Sequence, residues 1–152
     1  MAKFKKLLLQ LLLLPVFPIW YALLVPDEGE VYLMNYMLNK VASADVKLCL
    51  YTNDYTPVEG SVYASFTEAV AAGYARITLA GADWTIATNT GVTTAEQPQK
   101  TFTLTAASTD YGYFVINNAG TKVLWAERFS DAPHSIPSGG GTEKITVKLI
   151  GE

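Results

Sequence analysis

From residue 46 to residue 150, short runs of this chain alternate apolar and polar side chains with a period of two. Such alternation puts successive side chains on opposite faces of a β-strand. The runs are rich in Val, Ile, Thr, Tyr, Phe and Trp, which favour strands. The sequence contains no alternation of strands with helices, as a parallel sheet would require. It therefore predicts a mainly β, antiparallel protein with seven strands: 46–52, 73–80, 83–88, 100–107, 111–117, 122–129 and 143–150.

The segments that join the predicted strands differ in length and chemistry. Residues 80–83 (AGAD) and 117–120 (NNAG) have the composition of tight hairpin turns. Residues 88–99 and 130–141 are longer loops, and loops of that length are usually functional or make contacts. Short antiparallel strands joined in this way predict an antiparallel β-sandwich or a small barrel.

One helix is predicted ahead of the strands, over residues 27–40. Pro26 suits the start of a helix, and three acidic residues follow it where the helix dipole favours negative charge. We expect an apolar face of this helix to cover a sheet. That face consists of Val31, Met34, Met37 and Leu38. The stretch 56–71 fits a loop, a short strand around Tyr63 or a brief helical turn near its end.

The first 25 residues carry a different pattern. Three lysines precede residues 7–25, which contain no charge and one polar side chain, Gln10. These nineteen residues are just enough to cross a bilayer. However, Pro15 and Pro18 would leave backbone groups unpaired in hydrocarbon. A signal peptide fits the lysine-then-leucine start, but no small-x-small cleavage pattern follows it.

We therefore divide the chain into an apolar N-terminal arm, residues 1–25, and a β domain with its leading helix, residues 26–152. The preferred interpretation of the arm is a short helix followed by an extended strap, buried between subunits. An exposed apolar segment of this size is a liability unless partners cover it. A membrane anchor ranks second, and an uncleaved signal or an added extension ranks third. The candidate interface residues are Leu8, Leu11, Leu12, Phe17, Ile19 and Trp20.

Charge and composition argue against several functional classes. After the N-terminal lysines the chain carries 8 basic and 14 acidic side chains, which does not suit a nucleic-acid surface. The single cysteine, Cys49, cannot form an intrachain disulfide, and we predict that it is a small buried core residue. The single histidine, His134, lies in a proline-flanked loop without a nucleophile-elbow motif. Zinc-ligand spacing and phosphate-binding glycine loops are missing from the sequence, so we predict no catalytic residue, no metal site and no cofactor.

Glu127 is the one carboxylate in an unusual setting, because it shares a predicted strand face with Trp125 and Phe129. A carboxylate among aromatic rings could act as a sugar-binding acid. The preferred interpretation is a pair with an arginine such as Arg76. No second acid has a comparable setting. The nearest candidates, both predicted at turn edges, are Asp83 and Asp110.

Nine tyrosines and three tryptophans raise the possibility of carbohydrate binding. Trp84 and Trp125 alternate with polar residues inside predicted strands, which is the usual pattern for core positions. Trp20 lies in the apolar arm. We therefore predict a core role for all three tryptophans.

Eight segments of the chain resemble, in the same order, small virion-associated structural proteins encoded by tailed bacteriophages of aquatic bacteria. They are ALLVPDEGEVYLMNYMLNK, LYTNDYTPVEG, GYARITL, DWTIAT, QPQKTFTLTAA, YGYFVIN, VLWAERF and IPSGGGTEKITVKL. The resemblance spans nearly all of the domain and implies a structural part of a virus particle, with no catalytic residues to carry over. Proteins of this group begin near LLVPDEGE, so the resemblance does not account for the arm.

We therefore expect a non-enzymatic viral structural protein of the virion. It would form a homo-oligomer that decorates or stabilises the phage capsid through apolar subunit contacts, with the loops 88–99 and 130–141 as contact regions. Its partners would be itself and other virion proteins such as the major capsid protein, without nucleic acid. One alternative is a phage tail or fibre-attachment component, and another is a membrane-tethered surface module that binds a glycan or a protein.

Overall fold

The computed structural model describes residues 24–38 and 44–151. This part of the chain is mainly β, as predicted, and all its strand pairs are antiparallel. None of its helices is long and apolar enough to cross a membrane. Its elements are α1 (Asp27–Met37), β1 (Val46–Tyr51), β2 (Ile77–Leu79), β3 (Thr85–Asn89), β4 (Val92–Glu96), β5 (Lys100–Leu104), β6 (Ser108–Asp110), β7 (Gly112–Ile116), β8 (Val123–Arg128), β9 (His134–Ile136), β10 (Gly141–Ile145) and β11 (Lys148–Gly151).

The strands of this part form one larger sheet and three smaller ones. The larger sheet has the order β2–β1–β7–β8, and the smaller ones are β10–β5, β11–β4–β3 and β6–β9. The larger sheet stays open between its edge strands β2 and β8, and the other strands pair in separate ribbons. A closed barrel does not form among these strands, so the barrel alternative is wrong.

The central strands of the larger sheet are buried on both faces. Leu48 and Leu50 of β1 pack into one core cluster, which also contains Phe102 of β5. Cys49 packs into a second cluster on the opposite face, with Phe114 of β7. All four β1 and β7 side chains named here are 0% exposed. The sheet therefore differs from the half-buried strands that period-two alternation predicts, since both of its faces are covered.

Two predicted loops contain strands, and one predicted strand divides into two. Strand β4 lies within 88–99, and strand β9 lies within 130–141. The predicted strand 143–150 is interrupted at Val147, which is fully buried. On one side of this break β10 pairs with β5, and on the other side β11 pairs with β4. The short segment around Val147 therefore connects a strand of one sheet to a strand of another.

The two predicted hairpin turns behave differently. Residues 117–120 do form the turn between the paired strands β7 and β8, as predicted. Residues 80–83 do not form a hairpin turn. A 3₁₀ helix, Gly81–Asp83, instead connects β2 to β3, which belong to different sheets. The ambiguous stretch 56–71 is a loop with one short 3₁₀ helix, Tyr63–Ser65.

Helix α1 begins after Pro26 and packs on β8 through a face that differs from the predicted one. Gly29 lies against the backbone of Leu124, and Tyr32 packs on the larger core cluster. The close approach at Gly29 brings that side of the helix onto the sheet and turns the predicted apolar face outward. The predicted face was therefore wrong: Val31, Met34 and Leu38 are 60%, 66% and 68% exposed. The helix ends at Met37, before the predicted residue 40.

The chain ahead of α1 is tied to the edge of β8. Leu24 and Ala126 exchange two backbone hydrogen bonds of 3.2 and 2.9 Å. The Glu28 carboxylate accepts a hydrogen bond from the backbone N–H of Val123 at 2.6 Å. These contacts satisfy backbone groups on an edge strand that would otherwise be open to pairing. Residues from Leu24 onward are therefore anchored to the sheet.

Candidate functional sites: buried polar clusters and exposed apolar surfaces

The candidate interface residues of the arm lie outside the residues that the structure describes. The structure therefore neither supports nor opposes their predicted role. They are Leu8, Leu11, Leu12, Phe17, Ile19 and Trp20. The sites described below all belong to residues 24–38 and 44–151.

Glu68 accepts four hydrogen bonds in a cluster at the edge of the core. Arg76 donates from Nε and Nη2 to the two carboxylate oxygens, at 2.8 and 2.7 Å. The hydroxyls of Tyr74 and Tyr63 donate to the same two oxygens, at 2.8 and 3.0 Å. Burial alone would raise the pKa of Glu68, but these donors outweigh burial and hold the pKa below its usual value. The cluster is a satisfied carboxylate–guanidinium pair, the geometry in which such pairs are strongest.

Cys49 is fully buried next to this cluster, as predicted. Burial raises the pKa of its thiol to about 12, and the nearby Glu68 carboxylate acts in the same direction. A cysteine reacts through its thiolate, which this environment disfavours. Cys49 is therefore a core residue whose environment favours the neutral thiol.

Glu127 does not pair with Arg76, so the predicted pair is wrong. Arg76 is already held by Glu68, and Glu127 instead accepts a hydrogen bond from the hydroxyl of Tyr113. Burial and this contact raise the pKa of Tyr113. The register explains the contact, because Tyr113 and Glu127 are direct cross-strand partners in β7 and β8.

Trp125 is a core residue, as predicted, and Trp84 is half-buried against it. Their rings meet edge to face, with centroids 6.1 Å apart. Such pairs stabilise a core beyond the area that they bury. These two rings are therefore engaged with each other, whereas Trp20 lies outside the described residues.

His134 lies in strand β9, whereas the sequence predicted a loop. Its Nδ1 lies 3.0 Å from the carboxylate of Glu143, and its Nε2 lies 2.7 Å from that of Asp131. The ring also stacks on Phe129, with centroids 4.2 Å apart. Burial lowers the pKa of His134, but the two carboxylates outweigh burial and the net pKa is raised. The two carboxylates therefore favour the protonated ring and hold it in place.

Asp110 is a buried strand residue, so its predicted position at a turn edge is wrong. The short strand β6 pairs with β9, and this pairing removes Asp110 from solvent: it is 0% exposed. Ser108 donates to one carboxylate oxygen at 2.7 Å. The other oxygen, Oδ2, has no hydrogen-bond partner. Burial raises the pKa of Asp110, and the nearby Glu143 carboxylate raises it further.

The other predicted turn-edge acid, Asp83, ends the 3₁₀ helix and forms a 3.3 Å ion pair with Lys100. Within residues 24–38 and 44–151, no group of three or more His, Cys, Asp or Glu side chains has the geometry to hold a metal ion. The hydrogen bonds of the clusters described above connect loops and strands of the domain.

No family model, no curated protein and no solved structure matches this chain.

One exposed apolar surface is the outward stripe of α1, formed by Val31, Met34 and Leu38. The spacing of these residues puts them on one side of the helix. They lie opposite the contact with Leu124 and close in sequence to the end of the arm. An exposed cluster of large apolar side chains typically marks a contact site.

A second exposed surface is the ribbon β11–β4–β3. All five residues of β3 are exposed, and Ile86 is 71% exposed. Val92 and Ile150 also expose much of their surface. Residues 85–95 contain no charged side chain. The sequence predicts two of its three strands, within 83–88 and 143–150, but the third, β4, falls within the predicted loop 88–99. The pair Thr90–Gly91 was the available signal, since both residues adopt positive φ in a two-residue hairpin turn.

A cleft of about 320 Å³ lies at the base of this ribbon. Gln97 is 1% exposed and donates from Nε2 to the carbonyl oxygen of Ala80 at 2.9 Å, while its Oε1 has no hydrogen-bond partner. Buried amide oxygens are rarely left unpaired. The lining residues are Thr85, Ala87, Thr94, Glu96, Gln97 and Pro98.

Proposed function

We propose that this chain is a non-enzymatic structural protein of a virus particle, which assembles as a homo-oligomer and decorates or stabilises the phage capsid. The observation that carries the proposal is the outward stripe of α1. Its three large apolar side chains face away from the domain, and the apolar arm enters the domain at Leu24, three residues before the helix. Both features call for a protein surface that covers them. The resemblance to virion-associated phage proteins suggests that this covering surface belongs to another copy of the chain or to another virion protein.

The buried polar groups support a structural role. Glu68 and Glu127 have tyrosine or arginine partners, and His134 is held between two carboxylates. Cys49 is buried with a raised pKa. A catalytic acid or nucleophile must be within reach of a substrate. The hydrogen bonds of these groups are formed with other residues of the domain's own loops and strands.

We further infer that the domain is a β-sandwich. Support comes from the larger core cluster, which joins side chains of the four-stranded sheet, such as Leu50, to side chains of the β10–β5 ribbon, such as Phe102 and Ile145. Two sheets that share one core in this way are the basis of sandwich architectures. Helix α1 then lies against β8 at the sheet edge.

The proposal is tested by the mass of the assembled full-length chain. The double variant Leu11→Asp/Leu12→Asp places two carboxylates in the arm. We expect it to remain folded but to lose the oligomer, because buried unpaired charges are strongly unfavourable. Gln10→Asp is the matched control, since it adds a charge in the same segment without removing an apolar side chain. Analytical ultracentrifugation at several protein concentrations gives the masses.

An oligomer of unchanged mass in the Leu11→Asp/Leu12→Asp variant would contradict the role of the arm. Flotation of the wild-type chain with lipid vesicles, together with a monomer in lipid-free buffer, would instead favour the membrane-tethered alternative. Immunogold labelling of purified particles would separate the capsid from the tail location. Label spread over the capsid surface supports decoration, and label confined to the tail supports the fibre-attachment alternative.

A further inference from the structure

Strand β3 presents a hydrogen-bonding edge that no other strand within residues 24–38 and 44–151 occupies. It is the outer strand of the ribbon β11–β4–β3, and each of its five residues is exposed. The turn Thr90–Gly91 makes Asn89 and Val92 the first pair of the hairpin. In such a hairpin the flanking pair is hydrogen bonded, and bonded and non-bonded pairs then alternate along the strands.

This alternation determines which backbone groups of β3 point outward. Asn89, Ala87 and Thr85 direct their N–H and C=O groups toward β4. Ile86 and Thr88 therefore direct theirs to the free edge. These two residues lie symmetrically about Ala87. Such an edge can accept another strand in only a few registers.

We propose that β3 pairs with β3 of a second copy of this chain, antiparallel and about a two-fold axis at Ala87. In this register Ile86 of each copy lies opposite Thr88 of the other. The two residues exchange both backbone hydrogen bonds, which gives four bonds across the axis. The two Ala87 residues face each other as a non-hydrogen-bonded pair, where Cα atoms are about 4.5 Å apart. The result is a continuous six-stranded sheet across two subunits.

Three features of the strand favour a second copy as the occupant. The pattern of free groups is symmetric about one residue, so two identical edges satisfy each other, as an isologous contact requires. The residue on the axis is alanine, whose side chain is small enough for the close pair. Residues 85–95 carry no charge and no proline, which are the usual devices that keep edge strands apart.

This inference rests on the proposed function, because it specifies one contact of the proposed homo-oligomer. A five-residue edge alone covers less than the roughly 1,200–2,000 Å² that a stable interface buries in total. The edge therefore sets the register of two subunits, and the apolar arm and the stripe of α1 contribute the remaining contact. Pairing at β3 also covers Ile86, which is otherwise 71% exposed.

Charge variants of Ala87 in the full-length chain test the pairing. Ala87→Lys and Ala87→Asp each place like charges directly opposite each other across the axis. We expect each variant alone to weaken assembly at least about tenfold in apparent Kd. An equimolar mixture of the two variants should recover assembly, because opposite charges then meet. Circular dichroism confirms that both variants keep the β fold.

A cysteine cross-link tests the register. Ala87→Cys should give a disulfide-linked dimer on mild oxidation with oxidised glutathione, since non-hydrogen-bonded pairs bring Cα atoms within disulfide range. Thr93→Cys is the matched control, because it lies in the same ribbon on the central strand β4. The native Cys49 is fully buried and does not compete.

The outcomes separate this inference from the proposed function. If the Ala87→Lys variant forms the same oligomer as the wild type, and Ala87→Cys cross-links no more than Thr93→Cys, pairing at β3 is overturned. The proposed homo-oligomer would then assemble through other surfaces. A wild-type chain that is monomeric at every concentration overturns both. Selective cross-linking at 87, with recovery in the mixed sample, supports the register.

Discussion

Replacing Glu68 with glutamine should destabilise the domain more than any surface charge change. The carboxylate accepts four hydrogen bonds, two from Arg76 and one each from Tyr63 and Tyr74. Each oxygen accepts two of them. Glutamine replaces one oxygen with an amide NH₂ group, so two of these acceptor contacts are lost in either orientation of the amide.

The expected magnitude follows from the exposure of the pair. A hydrogen bond to a charged group contributes about 1.5–3 kcal/mol. The side chains of Glu68 and Arg76 are 16% and 34% exposed, so solvent screening reduces that contribution. We expect the Glu68→Gln variant to lose about 2–3 kcal/mol of unfolding free energy. At this chain length that corresponds to a fall in Tm of roughly 4–12 °C.

The assay is urea unfolding at a fixed protein concentration, followed by tryptophan fluorescence, because Trp125 is buried in the core. Glu96→Gln is the matched control. Glu96 pairs with Lys148 at 3.7 Å, and both side chains are about half exposed, so its loss should cost less than about 0.5 kcal/mol. Equal effects of the Glu68 and Glu96 substitutions would refute the reasoning.

The pH dependence gives a second check. The pKa of Glu68 is lowered in the folded state, so its contribution is present above the unfolded pKa of about 4.3. That contribution is lost as the pH falls through the lower folded pKa. The difference in unfolding free energy between the wild type and Glu68→Gln should therefore become smaller in acid. A difference that stays constant down to pH 2 would show that the ionised carboxylate is not its source.

Two further substitutions test other contacts of the domain. In Gly29→Ala the new Cβ would overlap the backbone carbonyl of Leu124, so α1 must shift. We expect a loss of about 2 kcal/mol in thermal unfolding, whereas Gly60→Ala, whose Cβ meets nothing within 4 Å, should be nearly neutral. The pKa of Asp110 is raised in the folded state, so its charge destabilises the domain as the pH rises from about 4 through that folded pKa. In urea unfolding, Asp110→Asn should remove this fall of the unfolding free energy with rising pH, and it should be more stable than the wild type at pH 7 by on the order of 1 kcal/mol. A variant that keeps the same pH dependence would show that the charge of Asp110 is not its source.

Part of the candidate site was predictable from local sequence. Period-two alternation located β1, β5, β7 and β8, and the apolar setting of Cys49 indicated a buried thiol. Strand β3 lies largely within the predicted strand 83–88, but its hairpin partner β4 was missed, although Thr90–Gly91 gives a turn signal, because the threonine-rich β4 shows little apolar alternation. The burial of Asp110 had no local signal, since it depends on the pairing of β6 with β9.

The sequence by itself determined the antiparallel, mainly β class, the leading helix after Pro26 and the contrast in composition between arm and domain. These properties follow from backbone propensity and side-chain periodicity, which act over a few neighbouring residues. Only the tertiary structure decided that Arg76 binds Glu68 and that the apolar stripe of α1 faces outward. It also decided that the outer edge of β3 pairs with no other strand of the described residues. Each depends on which distant surfaces bury each other. Gly29 shows the reason: its close contact with Leu124, nearly a hundred residues away, sets the rotation of the whole helix.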